Sequence, residues 1–439
     1  MKKLPIKQAP DPIDLLRYLV YEEKNENVVL LESRQGHHER ARFTFIMWDE
    51  IDHYVHYPED TSDARRKLKE FISRCDDHPP GMKLAVGYLS YEACTLIEPY
   101  LRDYVIDWGS WPLIEMFYPK YVVVYDNILG RVYTNTQIPK IENDPPRREN
   151  VRILEEVENV SKEVYEDWVR KCLENIYNGE IFQIVISRWT TYRISGDLIT
   201  MYENLREVNP SPYMYFYKLG HKYIIGTSPE LLVKVDNHRV ETHPIAGTRP
   251  RGRTEEEDIM LEDELLRSEK DRAEHIMLVD LARNDLGKIC RFGTVKVTEL
   301  FIIEKYSHVQ HLVSKVEGML LPGMDIIDAL WATFPAGTVS GAPKPRAMEL
   351  IFEYERRARE PYAGAVGLAY RKFGEFAIII RSAIVNNDKL TIRAGAGIVA
   401  DSKPELEYLE TEHKLGALKD ILLGARARSK IETWREDKT

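Results

Sequence analysis

The chain has 439 residues, 44% of them hydrophobic and 30% charged, with a net charge of −10 at pH 7. That length exceeds one ordinary core and predicts two domains or one large composite domain in a soluble, globular protein. An acidic chain without a basic stripe interleaved with aromatics is a poor partner for nucleic acid or an anionic membrane, so any acidic ligand would have to be met by local cations.

Residues 1–30 interrupt every apolar run with a charge. No run reaches the ~20 apolar residues that span a bilayer, so neither a signal peptide nor a membrane anchor is expected. Cys75, Cys94, Cys172 and Cys290 stand far apart without Cys-x-x-Cys spacing, which argues against a zinc site or a disulfide framework and fits a reducing, cytoplasmic setting.

Residues 27–31, 42–46 and 121–125 are short, β-branched or aromatic, and bounded by polar turn residues, so they read as strands. Residues 139–150 are charged, proline-rich and without apolar periodicity. They mark a connector between an N-terminal domain, 1–150, and a second domain, 151–439. From Ser161, the positions Val164, Trp168, Cys172 and Ile176 recur at helical spacing, with Gly179 as a stop. Strands return at 182–188, 213–218 and 223–226. Helices are expected over 255–286, with a break near Ser268, and over 403–423, where Ser402 and Glu405 form a capping-box pattern and Gly424 ends the helix. Strand runs and long helices that do not alternate regularly predict an α+β fold over a doubly wound one.

On the first long helix Asp271, Glu274, His275 and Leu278 fall at i, i+3, i+4 and i+7, and on the last helix Glu407, Glu410 and Lys414 repeat the geometry. Two acidic pairs from separate helices suit a hard cation such as Mg²⁺, which takes a few carboxylates plus water and substrate oxygens. By spacing alone, a solvated face laced with i,i+4 ion pairs is the commoner outcome. Arg381 closes the apolar run 376–383, where a cation needs an anion: a structural ion pair, or a ligand carboxylate held bidentately. His311 alternates with apolar neighbours and taken alone reads as a satisfied core histidine. The glycines of 393–398 lack Gly-x-Gly-x-x-Gly spacing, which disfavours a dinucleotide and suits backbone amides approaching a carboxylate. Neither a Gly-x-x-x-x-Gly-Lys phosphate loop nor a Gly-x-Ser-x-Gly elbow occurs.

Several segments stand in fixed order: Gly179-Glu-Ile-Phe-Gln-Ile-Val, Gly226-Thr-Ser-Pro-Glu230, Pro-Ile-Ala-Gly-Thr-Arg at 244–249, and Ala273-Glu-His-Ile-Met-Leu-Val-Asp-Leu-Ala-Arg-Asn-Asp285. Phe334-Pro-Ala-Gly-Thr-Val-Ser-Gly-Ala-Pro343, Tyr362-Ala-Gly-Ala-Val-Gly and Ala394-Gly-Ala-Gly-Ile-Val399 follow them. From about residue 27 to 423 this set resembles the chorismate-utilising enzymes, and among them the large, synthase subunit (component I) of anthranilate synthase.

The resemblance implies large, mostly antiparallel β-sheets packed as a sandwich with helices outside. It implies chorismate as substrate, ammonia as nucleophile, anthranilate and pyruvate as products, and Mg²⁺ as cofactor. Glu274 and Glu410 match the family's metal-site glutamates, with Glu407 and Asp271 beside them. Asp271 is one methylene shorter than the usual glutamate and would reach the ion through water. Arg381 would clamp the enolpyruvyl carboxylate, with Tyr362 beside it, Gly247, Thr248 and the amides of Gly395, Ala396 and Gly397 close to substrate, and Lys414 balancing the acids. Glu230 matches the residue that protonates the departing hydroxyl, while His311 and Thr338 match residues lining the reacting ring.

Within the family, isochorismate and salicylate synthases carry a lysine base at the position of Gln183, and glutamine cannot abstract a proton. Aminodeoxychorismate synthases typically carry a nucleophilic lysine at the position of Ala246, and a methyl group has no such chemistry. No Gly-x-Cys-x-Gly segment is present, so ammonia from glutamine implies a separate glutamine amidotransferase subunit in a hetero-oligomer, a heterotetramer. Leu31, Glu32, Ser33 and Arg42, with Asn209, Pro210, Ser211, Pro212, Tyr213 and Met214, resemble the family's tryptophan-binding segments. They imply feedback inhibition by L-tryptophan at the first committed step of tryptophan biosynthesis, or else strand and turn elements joining the two halves. The alternatives are an aminodeoxychorismate synthase with an atypical alanine, separated by its product, and a non-catalytic tryptophan-binding paralogue, separated by a turnover assay.

Overall fold

The computed structural model describes residues 1–33, 42–141, 149–306 and 309–423. The N-terminal third forms β1 (Lys2–Pro5), α1 (Pro12–Arg17), β2 (Asn27–Glu32), β3 (Phe43–His56), α2 (Ala64–Ile72), β4 (Ala85–Leu89), α3 (Cys94–Ile97), β5 (Ile114–Asp126) and β6 (Arg131–Thr134). It continues with β7 (Arg152–Asn159), α4 (Lys162–Tyr177), β8 (Gln183–Ser195), α5 (Leu198–Val208), β9 (Tyr213–Leu219), β10 (Lys222–Ser228), β11 (Leu231–Asp236), β12 (Arg239–Thr242) and β13 (Ile245–Pro250). Then come α6 (Glu255–Arg267), α7 (Glu269–Gly287), β14 (Lys296–Lys305), β15 (Val309–Met319), α8 (Ile326–Thr333), β16 (Gly341–Ala342) and α9 (Lys344–Glu355). The chain closes with β17 (Ala365–Ala369), β18 (Phe373–Ile378), β19 (Ser382–Asn386), β20 (Lys389–Ile398) and α10 (Pro404–Leu422).

These strands pair antiparallel. One ladder runs β6–β5–β3–β2–β9–β10–β19–β20–β8. A second leaves the start of β5 and runs β4–β17–β18–β11–β12–β15, with β13 and β14 also on β15. Strands on either side of residue 150 are therefore hydrogen-bonded to one another, β2 to β9 and β4 to β17.

Successive residues of a strand point to opposite faces, and here both faces are buried. Val29 packs with Met47, Tyr215, Tyr217, Val366 and Leu368 in the space between the ladders. Its neighbours Val28 and Leu30 pack instead under Leu16 of α1, Leu205 of α5 and Leu418 of α10. On the other side, Leu68, Val169, Val279, Leu330 and Met348 from five helices cover Ile184 and Ile186 of β8 and Val233 of β11. The result is the expected sandwich with helices outside.

The predicted helix after Ser161 forms, and the Ser161 side chain accepts from the Val164 N–H at 3.3 Å. The break at Ser268 is also present: Ser268 is extended and its hydroxyl accepts from the Asp271 N–H at 3.2 Å, starting α7 afresh. The capping box at the last helix does not form. Lys403 is the N-cap of α10 without a side-chain cap, and the Ser402 hydroxyl instead accepts from the Val399 N–H at 3.1 Å. Pro404 occupies the first helical turn, where its fixed φ and missing N–H reduce the need for a cap. Gly424 and residues 142–148 of the expected connector lie outside the described residues. All four cysteines are free and buried. Among the described residues no helix is long and apolar enough to cross a membrane.

Candidate active site

The segment Pro-Ile-Ala-Gly-Thr-Arg forms β13, whose ladder to β15 shifts register between Ala246 and Thr248. Gly247 makes the bulge: its φ is +67°, and a Cβ there would meet Leu265 and Asp271. The bulge sets Thr248 opposite His311, with Thr248 Oγ1 at 3.0 Å and the Gly247 carbonyl at 3.3 Å from His311 Nδ1. A carbonyl can only accept, which assigns the proton to Nδ1 and leaves Nε2 to accept from Arg381 Nη2, 3.4 Å away. Burial and then the Arg381 charge push the His311 pKa down to about 3, so the ring is neutral. Both ring nitrogens are thus satisfied, as expected of a core histidine, and one of the partners is Arg381.

Arg381 stands between β18 and β19 at φ +51°, a left-handed conformation that costs a non-glycine residue about 1–3 kcal/mol and concentrates at functional sites. Its carbonyl accepts from the Thr227 N–H at 3.4 Å. Burial lowers its pKa, while Tyr306 and Glu230 pull it up. Among the described residues its guanidinium makes no ion pair, and its one hydrogen-bond partner is His311. Of the two readings of this arginine, the structural pair is therefore not met within the described residues, and the fork remains for a ligand carboxylate.

Glu230 is buried in the turn between β10 and β11, its N–H donating to Ser228 Oγ at 3.3 Å and its carbonyl accepting from Ile378 at 3.1 Å. Burial raises its carboxyl to about 8, against the opposing pull of Thr338, the Ile245 backbone, Lys414 and Arg381. Burial thus favours the protonated carboxyl at neutral pH. Thr338 Oγ1 is buried without a hydrogen-bond partner of standard geometry. Tyr362 is buried beside two guanidinium groups, with its ring 5.6 Å from Arg393 and 6.0 Å from Arg359. It also feels the Lys414 charge.

The acidic residues of α7 and α10 face one another. Glu274 Oε1 accepts from Gln183 Nε2 at 2.8 Å, and glycine at 397 leaves room for this pair, since a Cβ there would lie 2.8 Å from Gln183 Nε2. Burial and then the charge of Glu410 push the Glu274 carboxyl up to about 7. Glu407 is raised by burial and then by Glu410. Lys414 Nζ lies 2.8 Å from Glu410 Oε1 and donates to the Gly395 carbonyl at 2.9 Å, tying α10 to β20 where Gly395, Ala396 and Gly397 run beside Ser187, Ile186 and Val185. Asp271 is committed elsewhere, to Arg249 Nη2 at 3.0 Å.

Among the described residues no three His, Cys, Asp or Glu side chains are gathered as a ready metal cage. The charge of Glu410 nonetheless raises the proton affinity of Glu274, and a buried carboxylate repelled by its neighbour is the environment that a divalent cation relieves. Mg²⁺ needs only one or two carboxylates when water and substrate oxygens complete its shell, so the pair fits that ion.

The segments expected to bind tryptophan meet through the β2–β9 ladder, with Leu31 opposite Tyr215 and Glu32 opposite Met214. The Glu32 carboxylate accepts from Tyr202 Oη at 2.7 Å and Arg206 Nη2 at 2.9 Å, and Arg42 pairs with Asp126 at 3.0 Å. The turn holding Pro210 and Pro212 is closed by Ser211 Oγ donating to the Asn209 carbonyl at 3.3 Å. Asn209 Nδ2 donates to Thr227 Oγ1 at 2.9 Å, and Tyr213 lies opposite Ser228, two residues before Glu230. Two neighbours went unassigned in the sequence: Arg249 on Asp271, and Tyr306, whose ring centroid lies 5.5 Å from that of His311 in an edge-on arrangement. Arg249 lies inside a quoted segment, which was the only signal it gave, and Gln183, read from the sequence only as standing in place of a lysine base, donates to Glu274.

The chain matches the family described as chorismate binding enzyme over residues 26–420. It is 47% identical over 425 residues to anthranilate synthase component 1 of Saccharolobus solfataricus, covering 96% of this chain and 99% of that protein. It is also 47% identical over 423 residues to the protein of the same name from Aeropyrum pernix, covering 95% of each. Among solved structures it resembles anthranilate synthase component I from Streptococcus pneumoniae, with TM-score 0.76, 32% identity and coverage of 94% of this chain and 98% of that one. The menaquinone-specific isochorismate synthase MenF from Escherichia coli shares the fold at TM-score 0.77 and 18% identity, covering 96% and 93%.

Proposed function

This chain belongs to the chorismate binding enzyme family, and from that membership we propose that it is the synthase component of an anthranilate synthase. It converts chorismate and ammonia to anthranilate and pyruvate, the first committed step of tryptophan biosynthesis. The observation that carries this reading is the buried Arg381 guanidinium, which makes no ion pair among the described residues, in the same site as the buried Glu230, whose carboxyl burial raises to about 8. Those are the groups needed to hold a carboxylate and to expel a hydroxyl. Gln183 and Ala246 supply neither a water-activating base nor a nucleophilic amine, which favours ammonia addition over the other reactions of the family.

In this reading Arg381 holds the enolpyruvyl carboxylate and Tyr362 packs beside it. Neutral His311, fixed by Gly247 and Thr248, keeps the Arg381 fork in place and lines the ring with Thr338. Glu230 gives its proton to the departing hydroxyl oxygen. Glu274 and Glu410 would hold Mg²⁺, whose charge, when bound, receives the ring carboxylate. Asp271 reaches it at most through water, Glu407 adds negative charge, and Lys414 limits repulsion in the cluster. Incubating the purified chain with chorismate, Mg²⁺ and an ammonium salt is expected to yield fluorescent anthranilate. An aminodeoxychorismate product, or no turnover, overturns the assignment.

The chain by itself is expected to use ammonia and not glutamine. It lacks a Gly-x-Cys-x-Gly segment, and its four cysteines are all buried, so none is placed to attack glutamine. Glutamine-dependent anthranilate formation should appear only when an amidotransferase subunit is added, in the hetero-oligomer that the designation component 1 of its relatives supports. Glutamine-driven turnover by the verified single chain would refute this. Free, buried thiols also fit the reducing cytoplasm.

Tryptophan is expected to inhibit from a separate site where 31–33 meets 209–214. A chain of contacts that would carry the coupling runs from Asn209, which donates to Thr227 Oγ1, to the Thr227 N–H, which donates to the Arg381 carbonyl. Coupling between two such sites is typically about 1–3 kcal/mol and reciprocal, so chorismate should weaken tryptophan binding by the same factor that tryptophan weakens chorismate binding. Ser33→Ala and Met214→Ala should relieve inhibition more than they slow ammonia-dependent turnover. Calorimetry that finds no tryptophan binding to the wild-type chain rejects the site.

A further inference from the structure

A cavity of about 40 Å³ is lined by Glu230 and Thr338 together with Asp285, Thr333, Leu281 and Ala282. One water needs roughly 10–15 Å³ of such volume, so the space holds more than one. Polar side chains on the lining favour a wet cavity, and the buried Thr338 hydroxyl, which beside Glu230 has no hydrogen bond of standard geometry among the described residues, is a place for a water to bond. Asp285 on this lining is bracketed by cations. Its Oδ2 accepts from Lys344 Nζ at 2.7 Å and its Oδ1 from Lys288 Nζ at 3.0 Å. Lys344 is buried and also donates to the Thr333 carbonyl at 3.1 Å, whereas the Lys288 side chain is 55% exposed. Glu230 and Asp285 thus share the lining of one cavity, and Asp285 is hydrogen-bonded to the half-exposed Lys288.

We propose that this cavity is a proton-return path, carrying a proton from solvent through Asp285 and water to Glu230 after Glu230 has protonated the leaving oxygen. The inference rests on the reading of Glu230 as general acid. The count closes. As the C–O bond breaks, the bonding pair stays with oxygen, which takes the Glu230 proton and leaves as water. The ammonia that forms the new C–N bond becomes a ring ammonium and gives one proton to solvent, and the path returns one proton to the Glu230 carboxylate. Substrate covers the front of Glu230 during turnover, so a rear entry lets the acid be recharged without an open front. Asp285 acts through water and is a positioning and relay residue. Its other role, tying α7 to α9 through Lys344, is structural.

The test uses the full chain with saturating chorismate, Mg²⁺ and ammonium, and two variants: Ala282→Leu, which fills the cavity with hydrocarbon and touches no charge, and Asp285→Asn, which keeps shape. Both are expected to lower kcat about tenfold or more, a modest part of what general acid catalysis supplies. The solvent deuterium isotope effect on kcat should rise, and KM for chorismate and for ammonia should stay unchanged. Thermal unfolding checks the fold, and if Asp285→Asn unfolds, Ala282→Leu decides alone. A folded Ala282→Leu enzyme with wild-type kcat and isotope effect overturns the path, as does a raised KM for ammonia at unchanged kcat, which would make the cavity a route for the nucleophile. Glu230→Gln separates the premises: if it retains wild-type turnover, the general-acid reading itself fails, and if it is inactive while Ala282→Leu is normal, only the return path fails.

Discussion

Arg381→Lys lowers kcat/KM for chorismate nearly as far as Arg381→Ala does. The expected loss is about 2–4 kcal/mol, the range for truncating one side of a desolvated charge pair, or roughly 30- to 1,000-fold at 1.36 kcal/mol per decade. A lysine keeps the charge. It does not keep the planar fork that meets both oxygens of a carboxylate, nor the Nη2 that donates to His311 Nε2. The loss of that second contact matters because the His311 ring is otherwise fixed only through Nδ1, by Thr248 and Gly247. Backbone strain cannot account for the effect, since lysine and arginine pay alike for φ +51°. Steady-state kinetics at saturating ammonium give the measurement, with circular dichroism to confirm the fold. An Arg381→Lys enzyme with the wild-type specificity constant would remove Arg381 from the substrate clamp.

That the acidic pairs share a face was legible because helix geometry is local, whereas their reading as a site came from the resemblance and not from spacing. Glu274 with Asp271 and Glu410 with Glu407 are three apart, and such pairs share a face whatever the rest of the chain does. What stays hidden is where a side chain spends its hydrogen bonds. Gln183 is 91 residues from Glu274, and Asp271 is 22 residues from the arginine that claims it. No periodicity encodes such pairings, and only the order of motifs suggested that these segments converge. The same holds for the sheet. Residues 27–31 read as a strand from their β-branched run, but a continuous apolar run does not say that Val29 faces the sandwich interior while Val28 and Leu30 face helices. At Ser402 a local rule misled. The capping-box spacing was present, but Pro404 entered the first turn, and the hydroxyl closed the preceding loop instead.

Glu274→Gln and Glu410→Gln should each remove most turnover, by about 100-fold or more, because a divalent cation supplies several kcal/mol of charge stabilisation. Stability should not follow activity. The Glu274 carboxyl is pushed up to about 7 by burial and then by the charges of Glu410 and Asp271, which means that an ionised group there works against the fold. A neutral glutamine relieves that repulsion and can still accept from Gln183 Nε2, so the melting temperature of Glu274→Gln should be unchanged or higher. Glu410→Gln gives up an ion pair with Lys414 whose two side chains are 49% and 42% exposed, an interaction worth little to stability. Asp271→Asn should be milder than either, since its carboxylate is already held by Arg249 at 3.0 Å. Mg²⁺ titrations of ammonia-dependent turnover, read beside thermal unfolding, separate these cases. If EDTA leaves the wild-type rate unchanged, or if both glutamine variants turn over near the wild-type rate, the paired glutamates hold no catalytic cation. A Glu274→Gln variant that loses activity only because it melts at a lower temperature would show the carboxylate to be structural.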